Sequence, residues 1–316
     1  MTVQSKNEVI IHKKPLIKKI FARWQIYLLL LLPIIYLIIF HYVPMSGLVI
    51  AFKDFSIRKG IWDSPWVGLA NFEKFFTSYK FARSLKNTLT LSVYSLLVSF
   101  PIPIIFALLL NSMRGKVYKK IIQTVTYIPH FISTVVMVGL VFQILDNRSG
   151  LYGTIYTMLT NEVAPSIMAE GEWFKHVYVW SGIWQSMGYN AIIYIAALSS
   201  VDQSLYEAAE IDGANRFQRM LHIDIPCILP TTSMMLVLAI GRIMSVGHEK
   251  ALLMQNNLNM NYSEIISTYV YKVGLASGIN DFSLSVAIGL FNSVVNFILL
   301  ITANKLSKKL SGSGIF

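Results

Sequence analysis

Six long runs of apolar residues constrain the fold of this chain more than any other feature of its sequence. The first run, 24–42, contains no Asp, Glu, Lys or Arg, and the others cover approximately residues 88–110, 121–145, 177–198, 228–247 and 283–303. A helix of about 20 apolar residues is long enough to cross the hydrocarbon core of a bilayer. The sequence therefore predicts an all-α integral membrane protein with six transmembrane helices.

The composition supports this class of protein. Only 14% of the residues are charged and 54% are hydrophobic, whereas about one quarter of a typical soluble domain is charged. The single cysteine, Cys227, excludes an internal disulfide framework and a cysteine-based structural zinc site. We expect its thiol to be buried and inert.

The positive charge of the chain follows its expected topology. If the N-terminus is cytoplasmic, the inside segments hold fifteen basic residues against six acidic ones, which accounts for most of the net charge of +11. Short cytoplasmic loops carry an excess of Lys and Arg, so we expect both termini in the cytoplasm and no nucleic-acid partner. The chain then divides into a cytoplasmic N-terminal segment (1–23), a membrane domain (24–303) and a cytoplasmic C-terminal tail (304–316).

Several reactive motifs are missing from the sequence. It has no Gly-x-x-x-x-Gly-Lys-Ser/Thr phosphate loop, no His-Glu-x-x-His zinc pattern and no Gly-x-Ser-x-Gly nucleophile elbow. We therefore expect no catalytic residue, no metal site and no cofactor in this chain. The spans also lack Asp and Glu, which disfavours a proton-coupled carrier because such carriers keep acids in the bilayer.

The segment 199–226, between the fourth and fifth predicted spans, differs from a simple connector. Asp202 or Ser204 can cap a first short helix, and Gly213 then breaks it. A second short helix follows, and Pro226 is expected to end it just before the bilayer. The order helix, glycine, helix and proline predicts a compact knob on the cytoplasmic side.

This knob carries a spaced motif. Glu207-Ala208-Ala209 is followed by Gly213, then by Ile223, and then by the pair Ile225-Pro226. The arrangement resembles the EAA loop of binding-protein-dependent ABC importer permeases, which reads Glu-Ala-Ala, three residues, Gly, nine residues, Ile, one residue and Leu-Pro. The spacing agrees throughout, and the one departure is Ile225, where leucine is usual.

Other segments extend the resemblance to one branch of this family. The segments "GLVIAFKDFSIRKGIWDSPWVGLANFEKFF", "YIPHFIS" and "LSGSGIF" are similar to the polysaccharide/oligosaccharide-type sugar permeases, which are relatives of the maltose permeases. These landmarks run from about Gly47 to Phe316, so the resemblance covers most of the chain.

The resemblance implies a permease subunit of an ATP-driven carbohydrate importer in the bacterial plasma membrane. It also implies the partners: a second homologous permease, two ATPase subunits that bind Mg-ATP, and an extracytoplasmic sugar-binding protein. The ATPases would dock on the knob, where Glu207 supplies a charge contact, Ala208 and Ala209 supply close packing, and Gly213 supplies the turn. An acidic oligosaccharide is one open substrate class. An importer of amino acids or peptides and, less favoured, an ion-coupled carrier are the alternatives.

Polar residues recur at helical spacing along three spans. The stripes comprise Thr88, Ser92, Ser95 and Ser99; Ser181, Gln185 and Tyr189 with Trp184 beside them; and Ser285, Gly289, Asn292 and Asn296. Small polar residues serve helix–helix packing in lipid, whereas aromatic rings and amides also suit a carbohydrate path. We therefore name Trp184, Gln185, Tyr189 and Asn292 as candidate pathway residues, with packing as the alternative.

Arg242 is the charged residue expected inside a span. A charge at membrane depth is costly and by default indicates function. Because Arg242 lies sixteen residues beyond Pro226, we expect it in the outer half of the fifth helix. There it can meet a carboxylate of an acidic oligosaccharide, or it can pair with Glu249 or with the partner permease.

Overall fold

The computed structural model describes residues 24–276, 278 and 280–311, and the regular structure in this part of the chain is helical. We number the principal helices in chain order: α1 (Trp24–Phe52), α2 (Ala70–Phe76), α3 (Tyr79–Ser112), α4 (Lys116–Phe131), α5 (Thr134–Ile144), α6 (Leu151–Thr160), α7 (Phe174–Ser199), α8 (Gln203–Ile211), α9 (Arg216–Ile240), α10 (His248–Met254), α11 (Ile266–Tyr271) and α12 (Phe282–Ser311). Shorter helical turns lie at Gly60–Asp63, Gly171–Trp173, Met260–Ser263 and Lys272–Ala276.

Four helices of the described chain are long and apolar enough to cross a membrane: α1, α3, α9 and α12. The bent pair α4 and α5 passes the same test when it is counted as one span. Helix α7 has 26 residues, which is long enough to cross, but polar groups such as Ser181 and Gln185 lower its mean hydropathy. The fold is that of a helical membrane domain.

The third apolar run, 121–145, is not one straight helix. Helices α4 and α5 meet at an angle of 102°, with the break at Ile132 and Ser133. Pro129 lies just before the break, and the hydroxyl of Ser133 caps α5 by accepting a hydrogen bond from the backbone N–H of Val136 at 3.3 Å. A proline near the end of one helix and a capping serine before the next explain the bend.

Helix α9 runs without interruption from the knob into the membrane domain, so the expectation that Pro226 ends a helix is wrong. Residues Met220–Asp224 form a wider π-helical turn, in which the N–H of Ile225 bonds to the carbonyl of Met220. Pro226 follows at the start of the next α-helical stretch, where a residue without an N–H is tolerated. The knob and this span therefore share one rod of 25 residues, about 37 Å long.

The fifth apolar run leaves the helical conformation earlier than expected. Helix α9 ends at Ile240, and residues 241–247 form turns and irregular backbone before α10 begins. Gly241 permits close packing there, because a Cβ at this position would lie 2.5 Å from Cδ1 of Leu300 in α12. The expectation that Arg242 lies in the outer half of the fifth helix is therefore wrong. The residue lies in this non-helical segment and is exposed.

Three clusters of buried side chains join the helices. The first includes Leu91, Met137, Tyr178, Ile183 and Ala251; the second includes Phe75, Ile266, Tyr269 and Ile288; and the third includes Leu108, Ala191, Tyr194 and Ile228. Helix α7 contributes to the first and third clusters and packs along α3. By contrast, the apolar window of α1 has no buried residue, so its surface is left for lipid or another subunit.

Both ends of the chain extend past the described residues. Helix α12 stays helical through Ser311, beyond residue 303, where the membrane domain was expected to end. The expected N-terminal segment 1–23 and residues 312–316 of the "LSGSGIF" landmark lie outside the described residues.

A close helix crossing gives a test of this packing. A Cβ at Gly188 of α7 would lie 2.4 Å from the carbonyl oxygen of Thr126 in α4, and backbone atoms cannot move aside without shifting a helix. We expect Gly188→Ala to lower the free energy of unfolding by about 1–3 kcal/mol, measured as a lower melting temperature of the purified protein. Gly289→Ala is the matched control, because nothing lies within 4 Å of that Cβ position. Equal melting temperatures for the two variants would contradict the close contact between α7 and α4 at Gly188.

Candidate functional site

The knob, which we define as residues 202–224, begins with a capped helix. Asp202 is the N-cap of α8, and its carboxylate accepts a hydrogen bond at 3.0 Å from the backbone N–H of Ser204. This hydrogen bond lowers the pKa of Asp202, because it favours the ionised carboxylate. Of the two capping residues considered from the sequence, Asp202 is the one that caps.

The chain reverses direction at Gly213. This residue has a φ of +76°, a left-handed conformation that glycine adopts without the steric cost of a Cβ. The N–H of Ala214 then bonds to the carbonyl of Ala209 at 2.8 Å. Asn215 and Gln218 form a reciprocal capping box that starts α9. The expected break at Gly213 is present, and backbone geometry explains it.

Asp224 anchors the knob to the membrane helices. Its carboxylate is buried and accepts hydrogen bonds from the hydroxyl of Tyr206 at 2.5 Å and from the side-chain amide of Asn111 at 3.2 Å. Burial, together with the hydrogen bond to Asp224, raises the pKa of Tyr206 to about 12. Since Tyr206 belongs to α8, Asp224 to α9 and Asn111 to the end of α3, one carboxylate joins three helices.

Sequence reasoning missed this anchor. The available signal was Asp224 itself, an acidic residue between the two apolar motif residues Ile223 and Ile225. Ile223 is half-buried beside it, and Pro226 is exposed on the next turn of α9. These two motif residues therefore belong to the rod that carries the knob.

The outer surface of the knob combines charge, small side chains and an exposed apolar residue. Glu207 and Ala208 are exposed, Ala209 is half-buried, and Ile211 is 87% exposed. Behind them lies a groove of 310 Å³ between α8, α9 and the end of α3. This surface therefore presents a carboxylate, two small side chains and one apolar side chain to the surroundings.

The serine stripe of α3 and Arg242 line one cavity of 320 Å³. Ser92, Ser95 and Ser99 come from α3, whereas Arg242 and Ser245 come from the non-helical segment after α9. Within the described chain, the buried hydroxyl oxygen of Ser92 has no hydrogen-bond partner. The cavity thus presents a guanidinium and hydroxyl groups together, which are suitable donors for carboxylates and sugar hydroxyls.

Arg242 pairs with no carboxylate among the residues that the structure describes, so the expected alternative of an ion pair with Glu249 is wrong. Its segment is instead held by Asn296 of α12. The side-chain oxygen of Asn296 accepts a hydrogen bond from the N–H of Met244 at 3.0 Å, and its amide donates to the hydroxyl of Ser245 at 2.8 Å. Asn296 therefore positions the segment that carries Arg242.

The candidate pathway residues of α7 do not line this cavity. Trp184 lines a separate apolar cavity of 560 Å³. Gln185 donates a hydrogen bond at 2.9 Å to the carbonyl of Ile132, at the break between α4 and α5. Tyr189 stacks on the ring of His130 with 3.7 Å between the ring centroids. Gln185 and Tyr189 thus have packing contacts, whichever further role they have.

Two other residues differ in their surroundings. Asn292 of α12 lines neither cavity, and its buried side-chain oxygen has no hydrogen-bond partner within the described residues. Cys227 is exposed, so the expectation of a buried thiol is wrong; its helix face is uncovered by other parts of the chain. In the same described ranges, no three His, Cys, Asp or Glu side chains group closely enough to hold a metal ion.

The described chain is thus a helical membrane domain in which one candidate span continues into a capped helix–turn–helix knob. The chain belongs to the family of binding-protein-dependent transport system inner membrane components, whose model matches residues 99–312. It is therefore a permease subunit rather than an enzyme, and ATP hydrolysis belongs to a separate ATPase.

Relatives and solved structures agree with this family. The chain is 44% identical to Protein LplB of Bacillus subtilis (strain 168), over 93% of this chain and 91% of that protein. It is 42% identical to the polygalacturonan/rhamnogalacturonan transport system permease protein YteP of the same strain, over 96% and 94%. A chain of a bacterial ABC transporter involved in the import of the acidic polysaccharide alginate superposes with a TM-score of 0.86 at 38% identity, covering 94% of this chain and 99% of that one.

The anchor at Asp224 gives a direct prediction. Asp224→Ala leaves the hydroxyl of Tyr206 and the amide of Asn111 without their shared acceptor, so we expect a loss of about 1–3 kcal/mol in the free energy of unfolding. The melting temperature of the purified protein measures this loss. Asp212→Ala is the control, because Asp212 is an exposed acidic residue of the same knob. If both variants melt at the wild-type temperature, the anchor is not structural.

Proposed function

We propose that the chain is a transmembrane permease subunit of an ATP-driven oligosaccharide importer in a bacterial plasma membrane. The observation that carries this proposal is the knob, which is continuous with α9 and tied to α3 through Asp224. Such a connection lets a soluble motor protein move membrane helices. Membership of a binding-protein-dependent transport family supports import as the task.

Carbohydrate is the proposed substrate class because the names of several relatives agree on it. YteP is named for polygalacturonan and rhamnogalacturonan transport. The permease AraP of Bacillus subtilis (strain 168), which is 30% identical over 88% of this chain, is named for arabinooligosaccharides. Alginate and polygalacturonan are acidic, and the unpaired Arg242 suits a carboxylate. An acidic oligosaccharide is therefore the favoured substrate.

The proposed assembly contains a second homologous permease, two ATPase subunits that bind Mg-ATP, and a periplasmic sugar-binding protein. The solved alginate transporter in complex with its alginate-loaded periplasmic protein supports the last of these partners. The uncovered apolar surface of α1 supports a second membrane subunit. This chain itself needs no cofactor and no nucleic acid for the proposed task.

The proposed topology has six crossings and two cytoplasmic termini. The crossings are α1, α3, the bent pair α4–α5, α7, α9 and α12, within the membrane domain 24–303. Helices α3 and α7 both end at the knob and α9 begins there, which is consistent with alternating directions. The excess of basic residues on the knob side supports a cytoplasmic knob.

In the proposed mechanism, the ATPase binds the knob surface formed by Glu207, Ala208 and Ile211. Closure of the ATPases on ATP then moves the knob and α9 as one body, because no flexible link separates them. Asp224 transmits the same movement to α3. Coupling arises because the ATP-bound ATPases bind one arrangement of the permease pair more tightly than the other.

A substitution of Gly213, which strains the turn of the knob, tests this mechanism. We expect Gly213→Val to strain the left-handed turn by about 1–2 kcal/mol and to misplace α8 relative to α9. Less ATPase should then co-purify with the importer, and oligosaccharide uptake by cells should fall. Glu207→Gln should weaken the same co-purification without straining the backbone.

Gly60→Val is the matched control for the turn. Gly60 also has a positive φ, +73°, and, like Gly213, has nothing within 4 Å of its Cβ position, but it lies outside the knob. If Gly60→Val and Gly213→Val lose the ATPase equally, the knob is not the docking surface. Uptake of amino acids or peptides instead of oligosaccharides would contradict the proposed substrate class.

A substitution of Arg242 tests the proposal that the substrate is an acidic oligosaccharide. We expect Arg242→Gln to reduce uptake of trigalacturonate by about tenfold and uptake of neutral arabinotriose much less, because a charge-assisted hydrogen bond is lost only with the acidic sugar. Arg148→Gln is the control, since Arg148 is exposed and does not line the cavity. An equal loss for both sugars would show that Arg242 is structural.

A further inference from the structure

A second polar cavity lies at the other end of α3 from the knob. It has a volume of 650 Å³ and is lined by the first turns of α3, by the turn before α7 with the first turn of α7, and by the segment before α11. Asn111 at the far end of α3 lines the groove of the knob instead. Because α3 has 34 residues, the two ends are about 50 Å apart. The second cavity therefore faces the side opposite the ATPase surface, and we call it the outer cavity.

The walls of the outer cavity are locked together. The ring of Tyr262 packs on Gly171 so closely that a Cβ there would lie 2.2 Å from Cδ2 of the ring. The side-chain amide of Asn87 in α3 donates hydrogen bonds to the carbonyls of Asn261 and Glu264, at 2.9 and 3.0 Å. These contacts join the three lining segments, so the cavity is a formed feature of the fold.

One of the three basic residues in the outer cavity already has a paired charge. Arg83 forms an ion pair with the buried carboxylate of Glu264 and donates a hydrogen bond at 2.9 Å to the side-chain oxygen of Asn261. Its guanidinium also lies 5.6 Å from the ring centre of Tyr79. Arg83 thus builds the wall and holds Tyr79 against it.

The other two basic residues form no ion pair in the described structure. Lys86 of α3 and Lys175 of α7 line the cavity, and neither forms an ion pair or side-chain hydrogen bond within the described residues. The one carboxylate in the lining, Glu172, is exposed and is not paired with either lysine. Two free ammonium groups on one concave surface attract a ligand that carries negative charge.

The remaining lining groups suit a saccharide. Tyr79 and Tyr262 present exposed rings, and Thr90 adds a hydroxyl beside the amides of Asn87 and Asn261. Rings stack on the apolar faces of sugars, and hydroxyls and amides bond to sugar hydroxyl groups. The volume lies within the range of about 300–1,000 Å³ that is usual for small-molecule sites.

We propose that the outer cavity is a receiving site for carboxylate-bearing sugar units, in which Lys86 and Lys175 pair with uronate carboxylates. This proposal rests on the proposed import of oligosaccharides and specifies where the permease first holds an acidic chain after the binding protein releases it, before the chain reaches Arg242. A neutral sugar can accept hydrogen bonds from these ammonium groups but gains no charge pairing, so the lysines favour the acidic sugar. The alternative, an acidic side chain of the binding protein as occupant, fits less well, because a concave cavity with aromatic walls is the form of a small-molecule site.

The test uses the complete importer with its partner subunits in cells that take up sugar. The probes are trigalacturonate and its methyl ester, which has the same rings without charge. We expect Lys86→Gln combined with Lys175→Gln to raise the trigalacturonate concentration for half-maximal uptake by about tenfold. Uptake of the ester should change by less than about twofold. Lys86→Arg should retain most of the wild-type uptake because it keeps the charge.

Arg58→Gln combined with Lys59→Gln is the charge-matched control, since both residues are exposed and lie outside the cavity lining. No loss of trigalacturonate uptake in the double variant would overturn the proposal. An equal loss for acid and ester would also overturn it and would indicate binding-protein docking instead. Wild-type cells that import neutral oligosaccharides but no uronates would overturn the receiving site alone. Wild-type cells that import no oligosaccharide at all would overturn the proposed function.

Discussion

A bilayer offers no water to the peptide backbone, so each N–H and C=O at membrane depth needs a partner within the protein. This constraint explains why the described chain is helical and why its helices break at few places. Two breaks are each stabilised by an amide side chain from a neighbouring helix. Gln185 of α7 bonds to the carbonyl of Ile132 between α4 and α5, and Asn296 of α12 bonds to the N–H of Met244 after α9. The polar stripes on these helices thus supply hydrogen bonds that the broken backbone lacks.

Asp224 applies the same principle at the membrane boundary. A buried carboxylate is costly unless hydrogen bonds compensate it, and both of its donors come from other helices, Tyr206 of α8 and Asn111 of α3. The carboxylate therefore fixes the knob in one orientation relative to the spans. The π-helical turn that ends at Asp224 precedes Pro226, and α9 continues in helical conformation to Ile240. Pro230 lies inside this helix and leaves the carbonyl of Pro226 without its usual helical hydrogen bond.

Features that depend on neighbouring residues in the sequence could be predicted. Features that depend on contacts between distant helices could not. Apolar runs predicted the four helices that are long and apolar enough to span a membrane, and Gly213 predicted the reversal of the knob because a positive φ is a property of one residue. The position of Arg242 was not predictable from hydropathy, since an apolar window continues beyond Ile240 although the helix does not. The sequence did not indicate that Lys86 and Lys175 share a site either, because only the fold brings α3 and α7 together at the outer cavity.

Helix α3 links both ends of the molecule and has one weak region between them. Pro101 and Pro103 lack an N–H, so the carbonyls of Leu97 and Ser99 cannot receive their usual helical hydrogen bonds from these residues. Ser99 also lines the cavity that contains Arg242. The helix is therefore least constrained beside that cavity, while Asn111 ties one end to the knob and Asn87 ties the other to the outer wall. A displacement of the knob that bends α3 would accordingly be concentrated at the cavity of Arg242, midway between the knob and the outer cavity.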